Sequence, residues 1–504
     1  MSDDRLDGLL QNLREMERYR EAYWLRFPQS TPLKLRWRAL AARHSFHITP
    51  GQSIMELGAG SGLWTQHLSE CLKGENPISA VVFDEAYRES LNARNLPNVS
   101  VSLAAGSVNP LPAEKFDYVV GTGILCHTEY ATNLAWVHDL LKPGGQMLFF
   151  EQNFWNPQVM LKGIFPKPSL VGNAPCQIGM RRFQLMKIAS AAGFTRIETY
   201  PYDVIHPRTP RSLIRFLQDK AIIFEYAPVL KELCGTLCIW ATKPGGSEQR
   251  TYPNLADHRE LFGKVSIVVP CFNEETNVGP LKQSLFEAYG PYIREIVFVD
   301  DNSQDRTAEA VEQLAEEEPR VKLVRRKPPN GVGRALRDGY AAATGEYIFS
   351  MDCDFAQIIP EFRDMFDALA EGYDGAFGSR FSHDSILVNY PFAKLLGNRV
   401  FHLLVKLLLF PQIRDISNNL KLCRSHVLKS LQLEEQHFAA NAETGLKPLL
   451  AGHRIKEVPI SWINRTHEMG RSSFRVFAVA PAYFFALARL VWRGWRRRRS
   501  GPSE

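Results

Sequence analysis

Ile54-Met55-Glu56-Leu57-Gly58-Ala59-Gly60-Ser61-Gly62 is the stretch that decides the fold of the first half of the chain. A short apolar run, of strand length, ends in a carboxylate. Glycines at 58, 60 and 62 then permit a tight turn that a ligand can approach closely. Turns of this kind commonly receive dinucleotides, but Glu56 would repel a pyrophosphate and suits an ammonium or a ribose edge instead. The next strand ends at Phe83-Asp84, which sets an acid where ribose hydroxyls can donate to it.

Around this turn, strand-like runs recur at Ser53-Leu57, Ala80-Phe83, Phe116-Gly121 and Gly145-Phe150, with helical stretches between them. That alternation predicts a parallel α/β sheet. Residues 1–42 mix charged and apolar positions at helical spacing and read as a helical lead-in that covers the first domain, 43–245. Residues 246–262, mostly polar after a Pro-Gly cluster, read as a linker. A second α/β series follows over 263–475, with strands near Val265-Pro270, Glu295-Asp301, Val321-Arg325, Glu346-Asp352 and Asp374-Gly378.

In this second series the apolar run Tyr347-Ile348-Phe349-Ser350-Met351 delivers Asp352-Cys353-Asp354 to a strand's carboxyl end. Two acids one residue apart in such a crevice can grip a hard divalent cation that also bridges a diphosphate. The triplet comes after Pro270-Cys271-Phe272-Asn273-Glu274, Val299-Asp300-Asp301-Asn302-Ser303 and Gly331-Val332-Gly333-Arg334-Ala335, so it is the fourth element of an ordered set.

The first half resembles class I S-adenosylmethionine-dependent methyltransferases over roughly residues 35 to 245, through the glycine turn, Ala105 to Pro112, Lys115 to Val120 and Leu140 to Gly145. The resemblance implies a Rossmann-like domain that binds S-adenosylmethionine. Glu56, Gly58, Gly60 and Gly62 would hold its methionine end, Asp84 its ribose, and Ser107 and Val108 would border its adenine. The family often has aspartate where Ser107 stands. Methyl transfer needs mainly alignment, so no base is fixed by the family. His127 is a candidate on the acceptor side, although a lone histidine is more often structural.

The second half resembles family 2 glycosyltransferases of the GT-A fold, most closely the dolichol-phosphate mannose synthase branch, over roughly 263 to 475. Further shared segments are Gly331 to Ala335, Gly378 to Phe381, Glu457 to Ile460 and Asn464-Arg465. The resemblance implies that Pro270, Phe272, Glu274, Asp300 and Asp301 border the nucleoside of a sugar nucleotide, a GDP- or UDP-hexose. Asp352 and Asp354 would hold Mg²⁺ or Mn²⁺. Arg380 and Arg465 would surround the acceptor phosphate or the departing diphosphate, and Glu443 matches an acid of the acceptor region. Ala356, where the family often has glutamine, and Gly470 to Ser473 depart from the pattern.

The acceptor implied is a polyprenyl phosphate, whose oxygen is already anionic and needs no strong base. A sugar or secondary-metabolite hydroxyl would need one, and Glu443 is then the candidate. The net charge of +6 is concentrated at Arg493 and Arg496 to Arg499 and is no nucleic-acid signature. Eight cysteines form no disulfide framework and, with no apolar leader, point to a cytoplasmic home. Val476 to Ala488 and Val400 to Phe410 are too short or too interrupted to span a bilayer. The expectation is a peripheral protein whose segment 476–504 is an amphipathic, basic tail at the cytoplasmic membrane surface. The sequence therefore reads as a bifunctional transferase. The alternatives are a tailoring methyltransferase fused to a transferase acting on hydroxyls, or a membrane-surface scaffold with one degenerate domain.

Overall fold

The computed structural model describes residues 3–104, 115–125, 130–164, 179–246, 251–382, 384–385, 387–388, 390–409, 411, 413–463 and 476–499. Ser107, Val108, His127 and Arg465 lie outside them. The chain divides into two compact units, Met1–Arg250 and Thr251–Glu504.

In the first unit, β1 (Ile54–Leu57), β2 (Ile78–Val82), β3 (Val99–Leu103), β4 (Phe116–Thr122), β5 (Leu141–Gln152), β6 (Thr195–Tyr202) and β7 (Thr236–Thr242) form one seven-stranded sheet. Its order is β3-β2-β1-β4-β5-β7-β6. The pairs from β3 through β5 are parallel, and β7 lies antiparallel between β5 and β6. Every residue of β1 is buried, as a central strand covered on both faces requires. Chain direction along the sheet reverses between β1 and β4, which opens a crevice at their carboxyl ends, where the glycine turn sits. Two helices precede the sheet, α1 (Asp3–Leu25) and α2 (Thr31–Phe46), so the lead-in runs a few residues past its expected end. Leu9, Leu10, Leu13 and Met16 of α1 enter the main core of this unit.

In the second unit the strands are β8 (Val265–Cys271), β9 (Ile293–Asp300), β10 (Val321–Arg325), β11 (Tyr347–Ser350), β12 (Gly375–Ser379), β13 (Leu387–Val388), β14 (Lys421–Arg424), β15 (Ile455–Pro459) and β16 (Trp462–Ile463). The large sheet has the order β10-β9-β8-β11-β14-β12-β15, with β14 antiparallel to both neighbours, and β13 pairs with β16 separately. Here the reversal falls between β8 and β11. Their parallel register brings Cys271, Asp300 and Ser350 to one edge.

Two expectations need correction. Residues 251–262 are not a free linker. Tyr252, Leu255 and Leu261 are buried in the second unit's core, and the amides of Asp257 and His258 donate to the Tyr292 hydroxyl at 2.9 and 2.8 Å. The segment from 476 is not wholly a surface tail either. In the helix Val476–Arg499, Tyr483, Ala486, Leu487 and Leu490 are buried, and Tyr483 lies edge-on to Phe401 of the helix Phe392–Leu409. The opposite faces of these two helices expose Leu396, Val400, Leu403 and Leu407, together with Phe484, Phe485 and Trp492. Among the described residues no helix is long and apolar enough to cross a membrane.

Candidate active sites

The turn after β1 folds as its glycines dictate. Gly58, Gly60 and Gly62 all adopt positive φ (67°, 57° and 80°), which L side chains rarely take. A Cβ on Gly58 would strike Ile124 at 2.5 Å, so the loop after β4 closes tightly over the turn. Glu151, at the end of β5, fixes that loop by accepting the amides of Ile124 and Leu125, each at 3.2 Å. Burial pushes the Glu151 carboxyl up to about 8, against the pull of those amides and of two arginines. Burial likewise raises Glu56 to about 7. Asp84 caps the helix Glu85–Asn92, accepting Ala86 N at 3.1 Å, and faces the same crevice.

This cradle is lined by α1. Glu17 accepts Gly60 N and Phe83 N, both at 2.9 Å, and Glu21 accepts the Ser61 hydroxyl at 2.6 Å. Arg18 donates to Asp84 at 2.7 Å, and its guanidinium holds that carboxyl below the usual range. Nothing in the sequence separates these charges from a solvated helix face; only their i,i+4 spacing hints that they share one target.

Beside the cradle lies a cavity of 370 Å³ whose walls include Tyr19, Tyr23, Arg38, Phe150, Glu151 and His206. Arg38 and Lys34 both pair with Asp203, so two cations share one carboxylate. A cavity beside the glycine turn, with aromatic walls and fixed polar groups, has the character of a site for a small polar molecule.

In the second unit the turns after β8 and β9 interlock. Asn273 and Asn302 take left-handed backbone (φ 57° and 62°). Asn273 N donates to Ser303 Oγ at 3.0 Å, and Gln304 N donates back to Asn273 Oδ1 at 2.8 Å. Asp301 accepts Gly331 N at 2.6 Å and pairs with Arg326, while Asp300 accepts Ser303 N at 3.3 Å. Glu274 is buried and its amide donates to Thr307, whereas Phe272 stands 42% exposed at the rim beside Pro270. The predicted nucleoside residues therefore share one sheet edge.

Asp352 follows β11 and is held by a relay. The Tyr340 hydroxyl donates to Ser350 Oγ at 3.2 Å, and Ser350 Oγ donates to Asn419 Oδ1 at 2.8 Å. Asn419 Nδ2 then donates to Asp352 Oδ1 at 2.8 Å. Asp354 is half-buried one residue beyond Cys353. Paired carboxylates at the reversal point, one of them oriented by an amide, are the hard-oxygen donor set that Mg²⁺ or Mn²⁺ takes. Sequence reasoning missed Asn419, which sits beside the buried Lys421 on a segment that reads as polar loop.

The remaining candidates are tied up within the chain. Arg380 is buried and forks onto Asp415 through Nε and Nη2 at 2.7 and 3.1 Å, with Ser417 at 3.2 Å. Both Glu443 oxygens are engaged. One accepts the amides of Glu434 and Glu435 at 2.8 Å, and the other pairs with Lys447 at 2.7 Å. Asp257, His258 and Asp367 also gather their ligand atoms closely. Arg363 donates to Asp257 at 2.9 Å, so this is an ion-pair knot that pins residues 251–262.

Fold and crevices together define two group-transfer domains in one chain, each with its ligand edge at a sheet reversal. Residues 22–208 match the family model described as Methyltransferase domain, and residues 266–432 match Glycosyl transferase family 2. The chain therefore joins a methyltransferase domain to a family 2 glycosyltransferase domain. Over 205 residues it is 30% identical to a dolichol-phosphate mannosyltransferase of Pyrococcus furiosus, covering 40% of this chain and 56% of that protein. It is 26% identical over 206 residues to the glycosyltransferase AglD of Haloferax volcanii, covering 40% of this chain and 33% of that one. The chain thus spans about half or less of the length of these relatives. A SAM-dependent methyltransferase structure from Thermotoga maritima aligns at 17% identity and a TM-score of 0.31, covering 45% of this chain and 98% of that one.

Proposed function

We propose that this chain is a bifunctional enzyme. Its second unit transfers a hexosyl unit, with inversion, from a GDP- or UDP-hexose to a polyprenyl phosphate, and its first unit transfers methyl groups from S-adenosylmethionine. The observation that carries the transferase reading is Asp352, held by the Tyr340–Ser350–Asn419 relay beside the interlocked turns of β8 and β9. Phe272 offers an exposed ring for the base, and the Asp301–Gly331–Arg326 junction shapes the floor beneath the nucleoside. A divalent cation at Asp352 and Asp354 would supply the charge that stabilises the leaving diphosphate. The relay orients the Asp352 carboxylate before any ligand arrives, which lowers the reorganisation needed on binding.

A phosphate acceptor is favoured over a hydroxyl by Glu443. A hydroxyl nucleophile needs a base, and the candidate base has both oxygens engaged elsewhere. A phosphate oxygen needs none. A lipid acceptor also accounts for the exposed apolar stripe of Leu396, Val400, Leu403 and Leu407 with Phe484, Phe485 and Trp492, which suits a membrane interface on the cytoplasmic side. In the first unit Asp84 would bind ribose, Gly58 to Gly62 would receive the methionine end, and the acceptor would enter the cavity beside Glu151. The test is a donor screen with Mn²⁺ and a short polyprenyl phosphate, read by mass spectrometry, on the native chain and on Asp352→Asn. Glycosyl phosphate should form only with the native chain. Transfer by Asp352→Asn at the native rate, or product only with a sugar hydroxyl acceptor, would refute the reading.

A further inference from the structure

Helix α1 satisfies, from within the chain, the polar groups of the cradle that a methyl-donating nucleoside would need. The amides of Gly60 and Phe83, at the carboxyl ends of adjacent strands, both donate to the Glu17 carboxylate at 2.9 Å. Asp84 is taken by Arg18 at 2.5 and 2.7 Å, with Arg14 at 3.8 Å. The Ser61 hydroxyl is taken by Glu21. The space above Gly60, kept open by the lack of a side chain, is filled: a Cβ there would stand 2.2 Å from Glu21 Oε1 and 2.8 Å from Arg20 Nη2. Arg20 closes the β4 side by donating to Thr122 O at 3.0 Å.

We propose that α1 is an intramolecular competitor for the cofactor cradle, so that S-adenosylmethionine binds the first unit only by displacing Glu17, Arg18 and Glu21. This rests on reading the cradle as the S-adenosylmethionine site. The contacts match the cofactor in kind: a carboxylate on backbone amides, a cation on the ribose acid, and bulk over the central glycine. They cannot coexist with it, because both need the same amides and the same carboxylate. The docked state is also under electrostatic tension. Glu17 is wholly buried, and burial pushes its carboxyl up to about 7 although Arg20 and the two amides pull it down. Against this, Leu9, Leu10, Leu13 and Met16 hold the helix to the core. Two opposed biases of this sort make a helix that exchanges between docked and displaced positions, and the apparent cofactor affinity is the intrinsic affinity multiplied by the displaced fraction.

The experiment uses the full chain, with calorimetric binding of S-adenosylhomocysteine and hydrogen exchange of the α1 amides with and without that ligand. Arg18 is about half exposed (56%), so Arg18→Ala should fold, and it should tighten binding roughly two- to fivefold by freeing Asp84. Glu17→Ala combined with Glu21→Ala should tighten it roughly tenfold or more. Exchange in α1 should speed up on saturation of the native chain. Weaker binding in these variants, or slower exchange in α1, would overturn the proposal and make α1 a lid that closes over the ligand. Unchanged affinity and exchange would sink competition while leaving the cofactor reading intact. Absence of binding in every folded variant would instead remove the cofactor reading, and the competition with it.

Discussion

Removing the Asp415 carboxylate is the sharpest perturbation of the second unit. Its side chain is fully buried and accepts from Arg380 through Nε, Nη2 and the backbone amide, at 2.7, 3.1 and 3.1 Å. The facing guanidinium is itself 8% exposed, so Asp415→Ala leaves a cation stranded away from water. Breaking a buried pair from one side costs roughly 3–5 kcal/mol, which is about two to four orders of magnitude in local opening. Hydrogen exchange with mass spectrometry reads this directly on peptides covering β12 and β14, whose pairing the ion pair braces. Protection there should fall by about that factor while β1 to β5 stay unchanged. Transfer activity should fall with the folded fraction and leave the donor KM unaltered. A loss of protection below about tenfold, or a donor KM that rises with protection intact, would show that Arg380 serves ligand binding instead of the fold.

Asn419→Ala should weaken Mn²⁺ binding roughly 10- to 100-fold, because Asp352 loses the group that orients it; electron paramagnetic resonance titration checks this. The two units should respond oppositely to pH. In the first, burial raises Glu17, Glu56 and Glu225 to about 7 and Glu151 to about 8, above the usual 4.5. Their contribution is fully present below about 4.5 and is lost as pH rises through 7–8. In the second, burial lowers His402 to about 4 and Lys421 to about 7, so stability is lost as pH falls below 6.5 for the histidine and below 10.5 for the lysine. From pH 5.5 to 8.5 the first unit's melting transition should drop, and the second's should rise, by roughly 5 °C. Transitions moving in the same direction would contradict the assignment. Leu403→Asp with Leu407→Asp should weaken binding to anionic vesicles at least about tenfold, measured by co-sedimentation, and leave transfer to a short soluble acceptor near the native rate.

The elements legible in the sequence were those whose physics is local. β1, β8 and β11 are short, mostly apolar runs closed by a turn or an acid, so both pattern and boundary are written in neighbouring residues. β3, Val-Ser-Val-Ser-Leu, is a half-exposed edge strand whose alternation is too brief to stand out. β14 contains Lys421, which is buried only because its ammonium reaches the carbonyls of Asn418 and Asn441, far from any sequence signal. The same limit governs the sites. Asp84, Asp352 and Asp354 announce themselves at strand ends. The engagement of Arg380, the relay through Asn419 and the inward turn of Glu17, Arg18 and Glu21 depend on partners tens of residues away, whereas Glu443 is engaged by neighbours four to nine residues off, which no apolar pattern marks.

Residues 251–262 bear on where this polypeptide can be divided. Tyr252 N donates to Glu287 at 3.0 Å, Leu255 N donates to the Ala288 carbonyl at 2.7 Å, and Tyr292 stacks with Tyr289 beneath them. A fragment opening at Thr251 carries its own cover for this aromatic surface. One opening at Lys264, where the first strand is about to begin, uncovers Tyr289, Tyr292 and Phe366 and leaves an adhesive face inviting self-association. The seam at which the glycosyltransferase can be excised or grafted onto another protein therefore falls a dozen residues ahead of its sheet.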